Sequence, residues 1–286
     1  MQILDGIESL ADRYDGFILD LWGVVHDGRT PYAGVIHALA TLQTMGKKVA
    51  FLSNAPRRSW FVADMLARMD IGAALYDGIM TSGELTRNYL LRRDLPFFAA
   101  LGTHAFHIGP GRDLSVAEGL DIVLSKSATG AEFVLNTGPE PEAGNNDARA
   151  YIPALKAAAA RRLPMICVNP DREVMVAGER LIAAGALADI YTDLGGGPVF
   201  EVGKPDPQVY PPVLAMLGIT DRSRVLAIGD SPRTDLAGAQ AAGIDALWAL
   251  TGLAEASHGR PDPGALAAEA AAAGVAPIAA LTGLRW

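Results

Sequence analysis

The sequence has little of what several classes of protein require. It contains one cysteine among 286 residues, so no disulfide can form within the chain. It has no block of basic residues and carries a formal net charge of −8, which argues against nucleic acid as a partner. The alanine-rich stretch at 265–280 is interrupted by Glu269, Gly274 and Pro277, so it is too broken to span a membrane. No basic segment precedes an apolar core at the start of the chain, and we therefore expect a cytoplasmic protein.

The remaining pattern is an alternation of apolar runs with amphipathic stretches. This alternation predicts an α/β fold in which a parallel, Rossmann-like sheet is flanked by helices. The clearest predicted strands are 17–20, 48–52, 225–228 and 246–249. The clearest predicted helices are 31–45, 58–69 and 235–242.

The middle of the chain interrupts this alternation. Between about Gly83 and Gly197 the pattern predicts several short strands, together with helices at 83–93, 148–160 and 177–184. We interpret this stretch as an α/β unit inserted into the first one. The predicted division is a core domain formed by residues 1–82 and 198–286, with an inserted cap domain at 83–197.

Four segments carry polar side chains at or just after the end of a predicted strand. These residues are Asp20, Ser53 with Asn54, Lys204, and Asp230 with Asp235. Because the carboxyl ends of parallel strands meet at one edge of a sheet, we expect these side chains to line one crevice.

The chemistry of this set fits phosphoryl transfer through an aspartyl intermediate. A carboxylate nucleophile divides one difficult displacement into two easier ones. Two carboxylates are a reasonable minimum for Mg²⁺, which keeps several waters and takes a substrate oxygen. A serine hydroxyl with loop amides can bind phosphoryl oxygens, and a lysine offsets the negative charge of the group being transferred.

Five segments together resemble the haloacid dehalogenase superfamily. They are GFILDLWGVV (16–25), FLSNA (51–55), CVNPDREV (167–174), EVGKPDPQVY (201–210) and GDSPRTDLAGAQAAGIDALW (229–248). The resemblance covers nearly the whole chain. It is to the branch with a large α/β cap inserted after the second motif, which includes nitrophenyl phosphatase-like and phosphoglycolate phosphatase-like proteins. It implies a Mg²⁺-dependent hydrolase acting on a small phosphorylated metabolite, such as a sugar phosphate or an aryl phosphate, and a homodimer formed through the cap.

The resemblance also implies a role for each residue of the metal site. Asp20 would be both the nucleophile and a metal ligand. The backbone carbonyl of Trp22 and the carboxylate of Asp230 would be further ligands. Asp235 would orient water or Lys204 without binding the metal itself.

The implied substrate contacts come from the remaining motifs. Ser53 would bind the phosphoryl group with Asn54 beside it, and Lys204 would stabilise the developing charge. Asn169 and Asp171 of the cap segment would reach down to the substrate, although a turn-forming role is equally compatible with their sequence.

The chain departs from the phosphatase pattern at Trp22. The phosphatases of this family have a second aspartate there, which protonates the leaving oxygen and later activates water, and an indole can do neither. His26 or Asp27 could replace the missing acid, or both could be solvated loop residues. The departure leaves open a catalytically impaired protein that binds a phosphorylated ligand, and a haloacid-type dehalogenase.

Overall fold

A computed structural model describes residues 1–140, 147–253 and 262–286. The strands, in chain order, are β1 (Ile3–Leu4), β2 (Gly16–Leu19), β3 (Lys48–Ser53), β4 (Gly78–Thr81), β5 (His104–Ile108), β6 (Val123–Ser125), β7 (Phe133–Asn136), β8 (Met165–Cys167), β9 (Glu173–Val176), β10 (Glu179–Ile182), β11 (Val199–Glu201), β12 (Val225–Gly229), β13 (Asp245–Ala249) and β14 (Ala279–Leu281). The α-helices are α1 (Glu8–Ala11), α2 (Val35–Thr44), α3 (Ser59–Ala67), α4 (Ser82–Arg92), α5 (Pro96–Ala99), α6 (Ile152–Ala160), α7 (Ala184–Asp193), α8 (Tyr210–Leu217), α9 (Ala237–Ala241) and α10 (Pro263–Ala272). Among these described helices, none combines the length and the apolar character that crossing a bilayer would need.

Seven strands form one parallel sheet in the order β1-β14-β13-β12-β2-β3-β4. The central strand β2 is a continuous apolar run and is buried along its whole length, as expected for a parallel strand covered on both faces. Its side chains alternate between two apolar layers. Ile18 packs into the layer on one face of the sheet, and Phe17 and Leu19 pack into the layer on the other face.

Five further strands form a separate parallel sheet in the order β11-β8-β7-β5-β6, and β9 and β10 form an antiparallel hairpin. The predicted α/β class, with a Rossmann-like core and an inserted α/β cap, is therefore confirmed. The boundaries at 82/83 and 197/198 stay a prediction. Strand β11 begins at Val199 and pairs with the second sheet, two residues beyond the predicted end of the cap.

The helix predicted at 177–184 is wrong. Residues 179–182 are strand β10, and helix α7 begins only at Ala184. Ala177 and Gly178 both have positive φ angles, of 50° and 82°, and they form the two-residue turn between β9 and β10. This turn conformation is the one that hairpins favour, and cross-strand pairing along 173–182 overrides the helical preference of the alanines and leucine.

The helix predicted at 235–242 also begins differently. Its first part lies in a π-helical turn over Pro232–Leu236, and regular α-helix follows only from Ala237. The other clear helices of the core, predicted at 31–45 and 58–69, are shorter at both ends than the sequence pattern suggested.

Candidate active site

Three neighbouring strands of the seven-stranded sheet end at the same edge. Asp20 follows β2, Ser53 is the last residue of β3, and Asp230 follows β12. The register of the sheet is fixed up to this point, because the backbone N–H of Asp20 donates to the carbonyl oxygen of Ile228 at 2.9 Å. Parallel pairing thus brings together side chains that are far apart in the sequence.

Lys204 links two of the carboxylates at this edge. Its Nζ donates to Asp20 Oδ1 at 2.7 Å, to Asp235 Oδ1 at 2.6 Å and to the carbonyl oxygen of Leu52 at 2.9 Å. The lysine is 3% exposed, and its three protons each have an acceptor. Burial acts to lower the pKa of Lys204, but Asp20 and Asp235 together raise it well above its ordinary value. The ammonium group therefore stays charged and holds Asp20 in one orientation.

The carboxylates of Asp20, Asp230 and Asp235 each place an oxygen within 4.8 Å of the others. Both oxygens of Asp235 already have partners, since Oδ1 accepts from Lys204 and Oδ2 accepts from the backbone N–H of Ser231 at 3.1 Å. Asp20 and Asp230 each use one oxygen, for Lys204 and for the N–H of Leu253 respectively. A cation would therefore be held by Asp20 and Asp230 more readily than by Asp235.

The surroundings of Asp230 fit such a cation. Its Oδ2 lies so close to Gly23 and Gly252 that a Cβ atom at either position would come within 2.0 or 2.2 Å of it. Burial raises the pKa of Asp20 to about 7, although Lys204 opposes the shift. The pKa of Asp230 is also raised, mainly by burial and next by the negative charge of Asp20. Buried carboxylates this close repel one another, and a divalent cation would relieve that repulsion. The carbonyl oxygen of Trp22, the third predicted ligand, accepts no hydrogen bond from the described residues.

The loop after β3 carries Ser53 and Asn54. The Ser53 hydroxyl accepts from the N–H of Ala55 at 3.2 Å, which leaves its own proton available to donate. Asn54 Nδ2 donates to Asp171 Oδ1 at 2.9 Å and to the carbonyl oxygen of Lys204 at 3.1 Å, while Asn54 Oδ1 accepts from the N–H of Lys204 at 2.8 Å. In this structure Asn54 thus positions Lys204 and ties the core to the cap. A direct contact between Asn54 and a substrate stays a prediction.

Two residues of the cap segment reach this edge of the core. The N–H of Asp171 donates to Asn169 Oδ1 at 2.9 Å, and this local turn directs the carboxylate of Asp171 towards Asn54. Burial raises the pKa of Asp171 to about 6, although Lys204 opposes the shift. Asn169 therefore forms a turn, and both residues lie in the wall of the site; a contact of either with a substrate stays a prediction.

Residues 21–31 form a segment that we call the flap, and Trp22 packs against other residues of this segment. The indole lies edge-on to the imidazole of His26, with ring centroids 4.9 Å apart, and the backbone of Gly28 packs against its six-membered ring. The cap hairpin contacts the flap directly, because the N–H of Ala177 donates to the carbonyl oxygen of Asp27 at 2.9 Å. The flap and the cap therefore meet over the site.

Neither alternative acid in the flap faces the site. His26 is buried, its Nδ1 accepts from the N–H of Gly28 at 3.0 Å, and burial lowers its pKa to about 4. The carboxylate of Asp27 accepts from the N–H groups of Arg29 and Thr30, which caps the turn. These contacts give His26 and Asp27 structural roles, and neither is among the residues that line the cavity.

A cavity of about 620 Å³ lies between the seven-stranded sheet and the cap. All the predicted site residues line it: Asp20, Trp22, Ser53, Asn54, Asn169, Asp171, Lys204, Asp230 and Asp235. The sequence prediction missed several charged residues of the wall, among them Arg57, Arg112 and Asp113. The pair of arginines directly after SNAP was the only local signal for one of them. The apolar part of the wall includes Trp22, Phe61 and Met65 from the core, with Met175 and Leu181 from the hairpin.

Comparisons with known proteins agree with this arrangement. A family model described as haloacid dehalogenase-like hydrolase matches residues 17–123, and a second, HAD-hydrolase-like model matches residues 201–277. The chain is similar to a solved haloacid dehalogenase-like hydrolase from Brucella suis 1330. That likeness has 32% identity and a TM-score of 0.83, and it covers 98% of this chain and 99% of that one.

The curated relatives of the chain include proteins named phosphatases. D-glycerol 3-phosphate phosphatase of Mycobacterium tuberculosis is 26% identical over 253 residues, which cover 86% of this chain and 66% of the relative. 4-Nitrophenylphosphatase of Schizosaccharomyces pombe is 26% identical over 264 residues, which cover 87% of both proteins. Taken with the near-complete match to the Brucella structure, these findings show that the chain belongs to the haloacid dehalogenase-like hydrolase family.

Proposed function

We propose that the protein is a Mg²⁺-dependent phosphatase that uses Asp20 as its nucleophile on a small phosphorylated metabolite. The observation that carries this proposal is the arrangement at the edge of the sheet. A lysine holds one oxygen of Asp20, a serine hydroxyl lies at the end of the adjacent strand, and Asp230 lies at the end of the strand on the other side. The phosphatase names of the relatives support the same reaction class.

Asp20, Asp230 and the carbonyl oxygen of Trp22 would hold the metal. A bound Mg²⁺ would neutralise the carboxylates and admit an anionic substrate. Asp20 Oδ2 has no hydrogen-bond partner among the described residues, so it would be the attacking oxygen, while Oδ1, which accepts from Lys204, would keep a lone pair for the metal. Its attack forms an O–P bond to the phosphoryl group and breaks the bond from phosphorus to the leaving oxygen, which departs with the electron pair. Water then attacks phosphorus and releases inorganic phosphate and the Asp20 carboxylate.

The other residues stabilise the group that is being transferred. Lys204 places a fixed positive charge beside Asp20, and the Ser53 hydroxyl is available to donate to a phosphoryl oxygen. The cap hairpin covers the site where it meets the flap at Asp27, which would exclude bulk water during the reaction.

Trp22 favours substrates with a stable leaving group. A general acid contributes roughly 10²–10⁴-fold when a poor leaving group must be protonated. In place of that acid, the cavity has an indole, and the apolar side chains of Phe61 and Met65 line the same cavity. We therefore place aryl phosphates ahead of sugar phosphates as substrates.

The test is hydrolysis of nitrophenyl phosphate and an alkyl phosphate, with Mg²⁺ and with EDTA, against the Asp20→Asn variant. The proposal expects Mg²⁺-dependent release of phosphate that Asp20→Asn abolishes. Activity that persists in Asp20→Asn would refute the assigned nucleophile.

Trp22 also supports a second candidate, a protein that binds a phosphorylated ligand without turning it over. The absence of an acid from the Trp22 position is the observation in its favour. It would be supported by tight, Mg²⁺-dependent binding of phosphate esters in calorimetry with no release of phosphate from either ester.

A further inference from the structure

Arg57 is a mostly buried cation in the wall of the cavity. Its side chain is 16% exposed, and its Nε donates to Asp113 Oδ1 at 3.3 Å. The Cζ atom of the guanidinium lies over the Phe61 ring, 5.4 Å from its centroid. Within the described parts of the chain, its two terminal nitrogens have no hydrogen-bond acceptor. These donors need acceptors from the cavity, which either water or a bound ligand would supply.

Asp113 orients the guanidinium from the cap. Only 2% of its side chain is exposed, and Nε of Arg112 lies 3.9 Å from the same Oδ1 atom that Arg57 contacts. Burial raises the pKa of Asp113 to about 6, although both arginines oppose the shift. One carboxylate thus faces two guanidinium groups, and it can hold Arg57 in place without satisfying all of its donors. All three side chains line the cavity.

The backbone of Arg57 is also fixed. The Thr81 hydroxyl donates to its carbonyl oxygen, and Arg57 lies four residues after Ser53 in the same loop. Four residues of chain span at most about 14 Å. Since Arg57 also lines the same cavity as Ser53 and Asp20, one molecule bound in that cavity can reach both the guanidinium and the phosphoryl site.

We propose that Arg57, oriented by Asp113, binds a second anionic group of the substrate, at the end of the leaving group remote from the phosphoryl group. This inference rests on the proposed phosphatase function and narrows its substrates. The preferred esters carry a carboxylate or a second phosphate in the leaving group. The planar fork of an arginine suits both groups, because each offers two oxygens for paired hydrogen bonds.

Closely matched esters with and without the second anionic group test the proposal. One pair is 4-carboxyphenyl phosphate and 4-carbamoylphenyl phosphate, and a second, shorter pair is 3-phosphoglycerate and glycerol 3-phosphate. A phenylene bisphosphate tests a second phosphate in the same position. In at least one pair, we expect kcat/KM for the anionic ester to exceed that for its partner by about tenfold or more. If a second phosphate is the preferred anion, kcat/KM for the bisphosphate should exceed that for the carbamoyl ester by a similar factor. The arm that shows the preference identifies which anion is bound.

Variants of adjacent arginines separate the subsite from a general effect of charge. In Arg57→Gln, the ratio of kcat/KM between the anionic ester and its matched partner should fall close to one. Arg57→Lys should retain part of the preference. Arg58→Gln is the matched control, because Arg58 bonds Glu84 at 2.7 Å and does not line the cavity, and it should keep the preference of the unmodified protein. Thermal unfolding of each variant checks that its fold is intact. A preference that survives in Arg57→Gln, or that Arg58→Gln removes equally, would overturn the proposal.

Binding measurements keep this test independent of turnover. Calorimetry with Mg²⁺ in the Asp20→Asn background should show the anionic esters binding about tenfold more tightly, and Arg57→Gln in that background should remove the difference. If nothing is hydrolysed but this difference is present, the subsite stands and the phosphatase proposal fails. If no ester pair shows a difference in either kcat/KM or affinity, the subsite is refuted and Arg57 with Asp113 is only an ion pair between core and cap.

Discussion

Replacing Trp22 with aspartate should give the site the acid that it lacks. An aspartate at this position would put a carboxyl in the cavity wall, on the flap two residues after Asp20. A general acid contributes roughly 10²–10⁴-fold to a step of this kind. The gain should be largest for an alkyl phosphate, whose leaving oxygen needs a proton. It should be small for nitrophenyl phosphate, whose leaving oxygen is stable as an anion.

The substitution also removes packing, and the assay must separate that loss from the gained acid. The indole of Trp22 is half-buried and contacts His26 and Gly28, so its loss should cost less than the roughly 3–5 kcal/mol typical of deleting a fully buried aromatic side chain. Trp22→Asn loses the same packing as Trp22→Asp, and the new side chain has nearly the same size, but an amide cannot transfer the proton. The informative quantity is therefore the ratio of kcat/KM between these two variants, measured for glycerol 3-phosphate and for nitrophenyl phosphate, with Asp20→Asn as the blank.

We expect this ratio to reach about 10²-fold or more for the alkyl ester and to be much smaller for the aryl ester. The reasoning would be refuted if the unmodified protein already hydrolysed the alkyl ester efficiently and Trp22→Asp only reduced that rate. Another group would then be the acid. Asp171 would be the next residue to test, because its carboxyl lines the cavity and burial raises its pKa to about 6.

Three further predictions concern the metal, the lysine and pH. Asp230→Ala should weaken Mg²⁺ binding in calorimetric titration, and equal affinity in both proteins would remove Asp230 from the metal site. Lys204→Met should abolish turnover and lower stability by about 3–5 kcal/mol, because it leaves buried carboxylates without their cation; urea denaturation measures this, and an unchanged midpoint would contradict it. In EDTA, the melting temperature should fall as pH rises from about 5 to 8, because Asp20, Asp113 and Asp171 have pKa values raised to about 7, 6 and 6 and so bind protons more tightly when folded than when unfolded. His26 and His107 oppose this trend. Their pKa values are lowered to about 4 in the folded protein, so they bind protons less tightly when folded and stabilise the fold as pH rises. The carboxyl groups with raised pKa values, which include Asp230, outnumber these two histidines, so the net change should be a fall. A melting temperature that rises steadily over this pH range would contradict the prediction. Adding Mg²⁺ should make the fall at pH 8 smaller.

The sequence was most informative where chemistry follows directly after an apolar run. Strands β2, β3 and β12 were predicted to within one residue at each end, because each is a short buried run followed by a polar residue. Parallel topology then required their carboxyl ends to meet, which is why Asp20, Ser53 and Asp230 could be assigned to one site without coordinates.

The features that were missed depend on long-range contacts. The pattern of residues 177–184 predicts a helix because an Ala-Gly pair is a weaker turn signal than Asn-Gly. The pairing of β9 with β10 decides the outcome instead. Arg57 and Asp113 are 56 residues apart and meet only where the core faces the cap. No local pattern records such a pair, so the charged part of the cavity wall could be found only from the fold.

Trapping the aspartyl phosphate tests the central claim most directly. The protein is mixed with nitrophenyl phosphate and Mg²⁺, quenched, and reduced with borohydride, which converts an aspartyl phosphate to homoserine. Peptide mass spectrometry then locates the modified position. The account predicts homoserine at position 20, in larger amount than in Trp22→Asp, because the indole cannot activate water for the second step. Hydrolysis of nitrophenyl phosphate with no homoserine at position 20, or with the modification at another carboxylate, would contradict the account.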